Sequence, residues 1–380
     1  MRNRFWIKTI NFLLVGVLVF FSFPPITSSA QTPDTGNNVY LPLVSNNYVY
    51  HFKTNQKFIG IYMQQYWYEA TIGEMQKADN LAGKKHSVSA WFIDINDPDF
   101  NYPLKTDMRT HNFYRQMEIL WNTGYISFVN LNSTATAYDI ASGKYDSQLN
   151  IMADVYKRWI DQGGGRKAIL APLPEMNGVR ENGIPWASYG GDPVNFKLAY
   201  QRFLNIFSQH GIVMDDVWWA FAPNGWSKTG HEFEKYYPGD LVVDIIGFSS
   251  YNYGFCAITE NYQKWENYNT LYKPYLDRID LMAPSKPVII SQTGTTAQYT
   301  DKNDFDINAK NQWLDKNYNF LSQQPQVVGV LYYDFNLPWE CNWRVTGDGE
   351  TLPDFTGYTV GASNAPFQYM DAAQLEALIP

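Results

Sequence analysis

The sequence predicts an α/β fold, a single (β/α)8 TIM barrel whose cleft lies at the C-terminal ends of the strands. Eight short apolar runs alternate with longer amphipathic segments, which indicates a parallel sheet covered by helices. Eight such repeats in roughly 320 residues fit a closed barrel better than a doubly wound sheet. No glycine-rich phosphate loop follows the first run, although a doubly wound fold usually carries one there.

The predicted strands are runs of aliphatic, aromatic and small residues, which is typical of strands buried on both faces. They are Phe58–Tyr62, Ser87–Ile93, Tyr125–Leu131, Ala168–Ala171, Val217–Phe221, Val243–Phe248, Pro287–Ser291 and Val327–Tyr333. The predicted helices carry apolar residues at helical spacing. They are Asn112–Trp121, Gln148–Asp161, Asn195–Gln209, Tyr262–Asp280, Ala309–Leu321 and a final short helix, Asp371–Leu378. Gly163–Gly165 precedes a strand and is interpreted as a helix-to-strand turn.

The N-terminal 30 residues have the pattern of a secretory signal peptide. Arg2, Arg4 and Lys8 form its positive region, Ile10–Phe21 its apolar core, and Ser28–Ala30 a small-residue cleavage site. We therefore expect a secreted or extracellular protein with no stable membrane insertion after cleavage. An uncleaved anchor is the alternative, although the apolar stretch is short for a full span.

The rest of the chain predicts a linker and one domain. Residues 31–56 are rich in Asn, Thr and Pro, and we interpret them as a linker or as a strand lying on the main domain. Residues 57–380 contain no internal repeat and no second composition regime, so we expect a single domain and a monomer.

Composition limits the class of partner. The net charge of −8 argues against nucleic acid, because no basic stripe is present to neutralise phosphates. Aromatic residues make up 17% of the chain, with 13 Trp and 28 Tyr. Exposed aromatic faces stack on pyranose rings, which favours a polysaccharide or oligosaccharide partner; an aromatic-rich core is the alternative.

Cysteine and histidine show no metal-ligand spacing, so we expect neither a metal nor another cofactor. The two cysteines, Cys256 and Cys341, are able to pair in an oxidising compartment, but the sequence leaves that question open. If they pair, the bond ties the loops after the sixth and eighth strands.

In a barrel, functional side chains lie at the C-terminal strand ends. These ends carry a polar and aromatic set, namely Tyr62, Gln64, Asp94, Asn130, Asn132, Glu175, Asn224, Trp226, Tyr251, Gln292, Asp334, Trp339, Glu340 and Trp343. Glu175 is the clearest candidate, because Pro172 and Pro174 end the fourth strand just before it and Asn177-Gly178 turns the chain away. A helix N-cap or a structural ion pair is the alternative role for this carboxylate.

Two carboxylates that flank a glycosidic bond are the common machinery of glycoside hydrolysis. Glu175 suits the general acid. The seventh strand should present its partner, but the residue there is Gln292, and an amide is no carboxylate nucleophile.

Several segments of the chain resemble glycoside hydrolase family 26, which contains mainly endo-β-mannanases. They are PLPEMNG, WWAFAPNGWS, YYPGDLVVDIIGFSSYN, KPVIISQTGTT and ECNWRV, with SVSAWFIDIN and GKYDSQLN in support. The resemblance spans residues 57–347. Family members are retaining (β/α)8 enzymes with an acid/base glutamate after strand four and a nucleophile glutamate after strand seven.

The resemblance implies roles for particular residues. Glu175 matches the acid/base, Gln292 occupies the nucleophile position, and Tyr251 matches a tyrosine that orients the nucleophile. The implied substrate contacts are Trp91, Asn177, Asn224, Trp226, Tyr251, Trp339, Trp343 and Arg344. Pro174 replaces the histidine usually found just before the acid/base, and proline has no hydrogen to donate.

Three functions follow as hypotheses. The first is a glycoside hydrolase acting on β-mannan or a related plant polysaccharide, which needs a second carboxylate from Asp94, Glu181, Asp334 or Glu340 and would then invert. The second is a glycan-binding pseudoenzyme, because Gln292 replaces the nucleophile. The third is a wall protein that uses the barrel as a scaffold.

Overall fold

The structure is a computed structural model that describes residues 50–63, 69–101, 111–180, 182–256, 263–337, 341–347 and 352–379. These residues belong to one compact unit. The expected signal peptide, most of the expected linker, and the candidates Gln64, Glu181, Trp339 and Glu340 lie outside them.

Eight parallel strands close into a barrel in sequence order, with β1 pairing to both β2 and β8. They are β1 (Phe58–Met63), β2 (Val88–Asp94), β3 (Ile126–Asn132), β4 (Ile169–Pro172), β5 (Trp218–Phe221), β6 (Ile245–Asn252), β7 (Val288–Thr295) and β8 (Val327–Asp334). The predicted (β/α)8 fold class is confirmed. All eight strands fall on the predicted runs, although β6 and β7 each extend four residues beyond the predicted ends.

Helices cover the outside of the barrel. Those in the described residues are α1 (Glu69–Ala82), α2 (Asn112–Asn122), α3 (Ala137–Ala141), α4 (Asp146–Ile160), α5 (Pro193–Gln209), α6 (Tyr268–Leu271), α7 (Lys273–Met282), α8 (Ile307–Ser322), α9 (Thr356–Ala362) and α10 (Ala372–Leu378). The single helix predicted over residues 262–280 is wrong in extent, because α7 starts anew with a proline in its first turn. Helices α1, α3 and α9 were not predicted. Among the described helices, none combines the length and apolarity needed to cross a membrane.

Alternate residues of the strands fill the barrel. Near the N-terminal ends of the strands, the barrel interior contains Phe58, Val88, Ile126, Ile169 and other apolar side chains, all buried in one cluster. Helix α10 and Phe52 pack against the same cluster, so the N-terminal end of the barrel is closed by apolar residues. Tyr62, Tyr251 and Gln292 lie at the other end, where the sequence predicts the cleft.

An irregularity in β7 sets the direction of its last side chains. The register shifts between Phe248 and Ser249 against β6 and between Ile290 and Thr293 against β8, and Ser249 then pairs with Gln292. A bulge of this kind re-aims the residues that follow it. Gln292 is thereby brought level with Ser249 at the mouth of the barrel.

The two cysteines form a disulfide, with their Cα atoms 5.5 Å apart. Cys256 follows β6 and Cys341 follows β8, so the bond joins two loops on either side of the β7 end. The question that the sequence left open is answered by this geometry.

Barrel packing predicts a large cost for one added methyl group. A Cβ on Gly329 would lie 2.2 Å from the ring of Phe58, which is fully buried. We expect Gly329→Ala to lower the free energy of unfolding by about 2–3 kcal/mol in urea denaturation. Gly73→Ala is the matched control, because nothing lies within 4 Å of that site in α1, and it should stabilise the helix slightly. Equal effects of the two changes would contradict this packing.

Removal of the disulfide should destabilise the barrel without preventing its closure. The bond spans 85 residues of sequence, so the Cys256→Ser/Cys341→Ser variant should lose about 2–4 kcal/mol of unfolding free energy. The wild-type protein in reductant is the control and should unfold at the same urea midpoint as the variant. A wild-type midpoint unchanged by reductant would show that the cysteines do not pair.

Candidate active site

A strained turn delivers Glu175 to the mouth of the barrel. Strand β4 ends at Pro172, and Leu173 and Glu175 then take left-handed φ angles of 52° and 57°. Such angles cost non-glycine residues of order 1 kcal/mol or more each, so other contacts must hold them. The backbone N–H of Glu175 donates to the carbonyl of Ala222 at 2.8 Å, and its own carbonyl accepts from Gly178 at 2.8 Å.

Two polar side chains hold the half-buried carboxylate of Glu175. The Ser249 hydroxyl donates to its Oε1 atom, and Asn224 Nδ2 donates to the same oxygen at 3.4 Å. Asn224 is itself fixed by Asn177. The Asn224 backbone N–H donates to Asn177 Oδ1 at 2.8 Å, and Asn177 Nδ2 donates to the Asn224 carbonyl at 2.8 Å. Asn177, which is fully buried, thus positions Asn224, the residue that contacts the carboxylate.

Gln292 lies on β7, the strand next to β6, which holds the Glu175 carboxylate through Ser249. It is 6% exposed, and its Oε1 atom accepts a hydrogen bond from the Tyr251 hydroxyl at 2.8 Å. Ser249 is the Cα partner of Gln292, so Glu175 reaches β6 at the residue that pairs with Gln292. The structure therefore brings together Glu175, Gln292, Tyr251 and Asn224, four of the residues that the sequence proposes.

Burial and nearby charge keep Tyr251 a neutral donor. Burial first, then the neighbouring Tyr333 and Glu175, raise the pKa of Tyr251 well above its ordinary value. The pKa of Tyr62 is raised in the same way, mainly by burial, although the hydrogen bond from Asn130 Nδ2 at 2.8 Å opposes the shift. Both hydroxyls thus stay protonated at neutral pH.

An aromatic wall surrounds these polar groups. The ring of Tyr333 lies 5.7 Å from Tyr251 and 5.6 Å from Tyr62, and it stacks on Phe335 at 4.3 Å. Phe92 joins it at 5.3 Å from Tyr62. Phe92, Tyr333 and Phe335 were missed by sequence reasoning. The period-two alternation of a strand offers a signal for Phe92, which stands two residues before Asp94 on β2.

A pair of stacked tryptophans lies beside the Glu175 turn. Trp186 and Trp226 are nearly parallel, with ring centroids 6.2 Å apart and 15° between the planes. Gly178 makes room for Trp186, because a Cβ there would lie 2.3 Å from the Trp186 ring. Trp186 is 37% exposed and was also missed; only its position in the loop that follows Glu175 pointed to it.

Three predicted substrate contacts are placed differently by the structure. Trp91 faces outward from β2 and packs on Phe113 of α2, because a strand alternates its faces and Phe92 takes the inward one. Trp343 is 1% exposed and packs on Tyr251 at 5.0 Å, so it supports the wall from behind. Arg344 turns toward Thr346, to which its guanidinium donates at 2.9 Å.

Of the proposed second carboxylates, the structure describes Asp334 and Asp94. They differ in how far their oxygens are taken up by hydrogen bonds. Asp334 is fully buried and accepts hydrogen bonds from the backbone N–H groups of Val345 and Thr346 and from the Thr346 hydroxyl. Asp334 therefore holds the loop after β8 in place, and the prediction that it could act as the second catalytic carboxylate is wrong. Asp94 is half-buried, and one of its oxygens accepts from the Asn96 N–H at 2.7 Å.

The charges of Asp94 and Glu175 both influence Tyr189. Tyr189 donates its hydroxyl to the Pro174 carbonyl at 2.8 Å, and its pKa is raised by burial and then by the charges of Glu175 and Asp94. Both carboxylates thus act on one hydroxyl beside the Glu175 turn. Among the residues that the structure describes, no group of three or more His, Cys, Asp and Glu side chains is arranged to hold a metal.

The chain matches no protein-family profile, but it is similar to known glycoside hydrolases. It is 26% identical over 239 residues to endoglucanase H of Acetivibrio thermocellus, a match that covers 60% of this chain and 23% of the relative. This chain therefore spans about a quarter of the length of that relative.

Solved structures of mannanases share the fold. The catalytic domain of a GH26 endo-β-1,4-mannanase from a Bacillus species superposes with a TM-score of 0.59 and 16% identity over 85% of this chain and 89% of that chain. A GH26 β-mannanase from Bacteroides ovatus gives 0.55 and 13% over 86% and 93%. A mannanase from Bacillus subtilis gives 0.51 and 16% over 84% and 87%. At these identities the likeness establishes the fold.

The close approach of the Trp186 ring to Gly178 can be tested without a ligand. A stacked tryptophan pair gives an exciton signal in circular dichroism, and we expect Gly178→Ala to abolish it because the added methyl group displaces the Trp186 ring. Trp186→Phe is the control and should also lack the exciton signal. A Gly178→Ala spectrum identical to that of the wild type would contradict the close approach.

Proposed function

We propose that this protein is a secreted glycoside hydrolase of the family 26 type that cleaves a β-mannan or a related plant polysaccharide. The observation that carries the proposal is the Glu175 carboxylate, held by Ser249 and Asn224 beside the Gln292–Tyr251 pair. In this role Glu175 protonates the oxygen of the leaving sugar. The similarity to an endoglucanase and to mannanases supports the hydrolase class.

Gln292 changes the mechanism that such a site supports. A covalent intermediate needs a carboxylate oxygen to attack the anomeric carbon, and the neutral amide oxygen of Gln292 is a poor nucleophile. The amide N–H2 of Gln292 instead offers donors to a sugar hydroxyl. Water then replaces the protein nucleophile, and hydrolysis proceeds with inversion.

Asp94 is our candidate for the base that activates this water. It is half-buried at the C-terminal end of β2, on the same end of the barrel as Glu175. An inverting pair needs about 6.5–9.5 Å between the carboxyl groups, enough for a water molecule on the far face of the sugar. The aromatic wall and the Trp186–Trp226 pair supply faces on which neutral sugar rings stack.

A glycan-binding pseudoenzyme is the second candidate, and Gln292 is the observation that favours it. Such a protein would keep the aromatic wall and the Glu175 turn while lacking turnover. It would bind the same polysaccharides through the same residues, so binding alone does not separate it from the hydrolase.

Hydrolysis should depend on Glu175 and improve when Gln292 becomes a carboxylate. We expect the wild type to release reducing sugar from at least one of mannan, glucomannan, mixed-linkage β-glucan and xylan. Glu175→Gln should lower that rate by about a hundredfold or more, because it removes the general acid. Gln292→Glu should raise the rate, because Tyr251 then orients a carboxylate able to attack directly.

The outcomes separate the two candidates. Release by the wild type no greater than by Glu175→Gln would contradict the hydrolase. In that case retained oligosaccharide binding, with large activity in Gln292→Glu, would establish the pseudoenzyme. Trp91→Phe is the matched control, because its ring faces the helices, and it should leave the rate unchanged.

A further inference from the structure

A second cavity lies outside the cleft, on the outer side of the barrel. It has a volume of about 360 Å³ and lies between the N-terminal half of α8, the start of α6 and the loops that follow β6 and β7. That volume is at the lower end of small-molecule sites in proteins. It shares no lining residue with the Glu175 site.

Two aromatic rings are presented to solvent at this cavity. Trp265 and Tyr299 meet edge to face, with centroids 4.9 Å apart and 86° between the planes. Tyr299 is 40% exposed and Trp265 is half-buried. Apolar ring surface left accessible beside a cavity favours a ligand that has an apolar face of its own.

The backbone on both sides of Trp265 is held by contacts with the rest of the barrel. The neighbouring Glu266 donates its backbone N–H to the buried Asn252 at 2.8 Å, and its carbonyl accepts from the Trp313 indole at 2.8 Å. On the other side of Trp265, Lys264 forms an antiparallel β-bridge with Gly254. A ring fixed before binding loses little conformational entropy on contact with a ligand.

Polar side chains of α8 complete the lining. Asn308, Gln312 and Lys316 follow one another at intervals of four residues, so they share one face of the helix, and all three are exposed. Amide groups both donate and accept, which suits the paired hydroxyls of a sugar. The charges of Asp306 and Lys316 balance across the cavity, so an uncharged ligand is favoured over an anion.

We infer that this cavity, which we name the α8 cavity, is a non-catalytic binding site for a neutral oligosaccharide or for the end of a neutral polysaccharide chain. The choice of ligand rests on the proposed function, but the site needs no turnover at Glu175. Its two rings come from loops after β6 and β7, the strands that carry Tyr251 and Gln292. A polysaccharide bound in the α8 cavity is therefore held at the same end of the barrel as the cleft.

Affinity electrophoresis in gels containing glucomannan or mixed-linkage β-glucan tests this site. Tyr299→Ala/Gln312→Ala should weaken retardation of the protein by about fivefold to tenfold relative to wild type. It should do so equally in a Trp226→Ala background, in which the cleft itself is weakened. Hydrolysis of soluble short oligosaccharides should be unchanged, because neither residue lies in the cleft.

The control replaces an exposed tyrosine and an exposed glutamine elsewhere, in Tyr138→Ala/Gln201→Ala, and should migrate like the wild type. Retardation unaffected by Tyr299→Ala/Gln312→Ala would overturn the α8 cavity as a sugar site. Stronger retardation in polygalacturonate than in neutral gels would overturn the neutral ligand class. Unchanged migration of the wild type in every neutral gel would overturn this site, whereas reducing-sugar release in the same preparation would leave the hydrolase standing.

Discussion

The hydrogen bond from Ser249 to Glu175 is the contact on which the candidate site depends. Ser249 and Tyr251 are two residues apart on β6, so both point into the mouth of the barrel, about 6.6 Å apart along the strand. One holds the carboxylate and the other holds the Gln292 amide. A single strand therefore sets the spacing between the Glu175 carboxylate and the Gln292 amide, and the β7 bulge brings Gln292 into register with Ser249.

The strained turn before the carboxylate is compensated by its neighbours. Leu173 and Glu175 hold left-handed angles, and each is anchored by backbone hydrogen bonds, to Leu131 and Ala222 respectively. The buried Asn177–Asn224 pair then fixes the turn from behind. Strain of this kind persists only where the surroundings over-determine it, which is typical of functional sites.

The sequence predicted the barrel, the positions of its eight strands and the grouping of Glu175, Gln292, Tyr251 and Asn224 at the mouth, because buried runs and the polar residues that follow them are local signals. Other features depended on information that no local pattern carries. Trp91, which the resemblance implies as a substrate contact, packs against α2 instead, since a shift of one residue in a strand reverses its side. Asp334 proved structural because its partners, Val345 and Thr346, lie in a loop whose path the sequence does not give. The position of Trp186 depends on Gly178, because a side chain at that residue would displace the Trp186 ring.

The anomeric configuration of the first hydrolysis product tests the central claim most directly. In the proposed mechanism, water attacks opposite Glu175 because Gln292 cannot form a covalent intermediate, and the β-linkage is inverted. Proton NMR of freshly cleaved oligosaccharide should therefore show the α-configured reducing end first, with the β form growing in by mutarotation. A β-configured product at the earliest times would contradict the account, because retention requires a nucleophile that Gln292 does not provide.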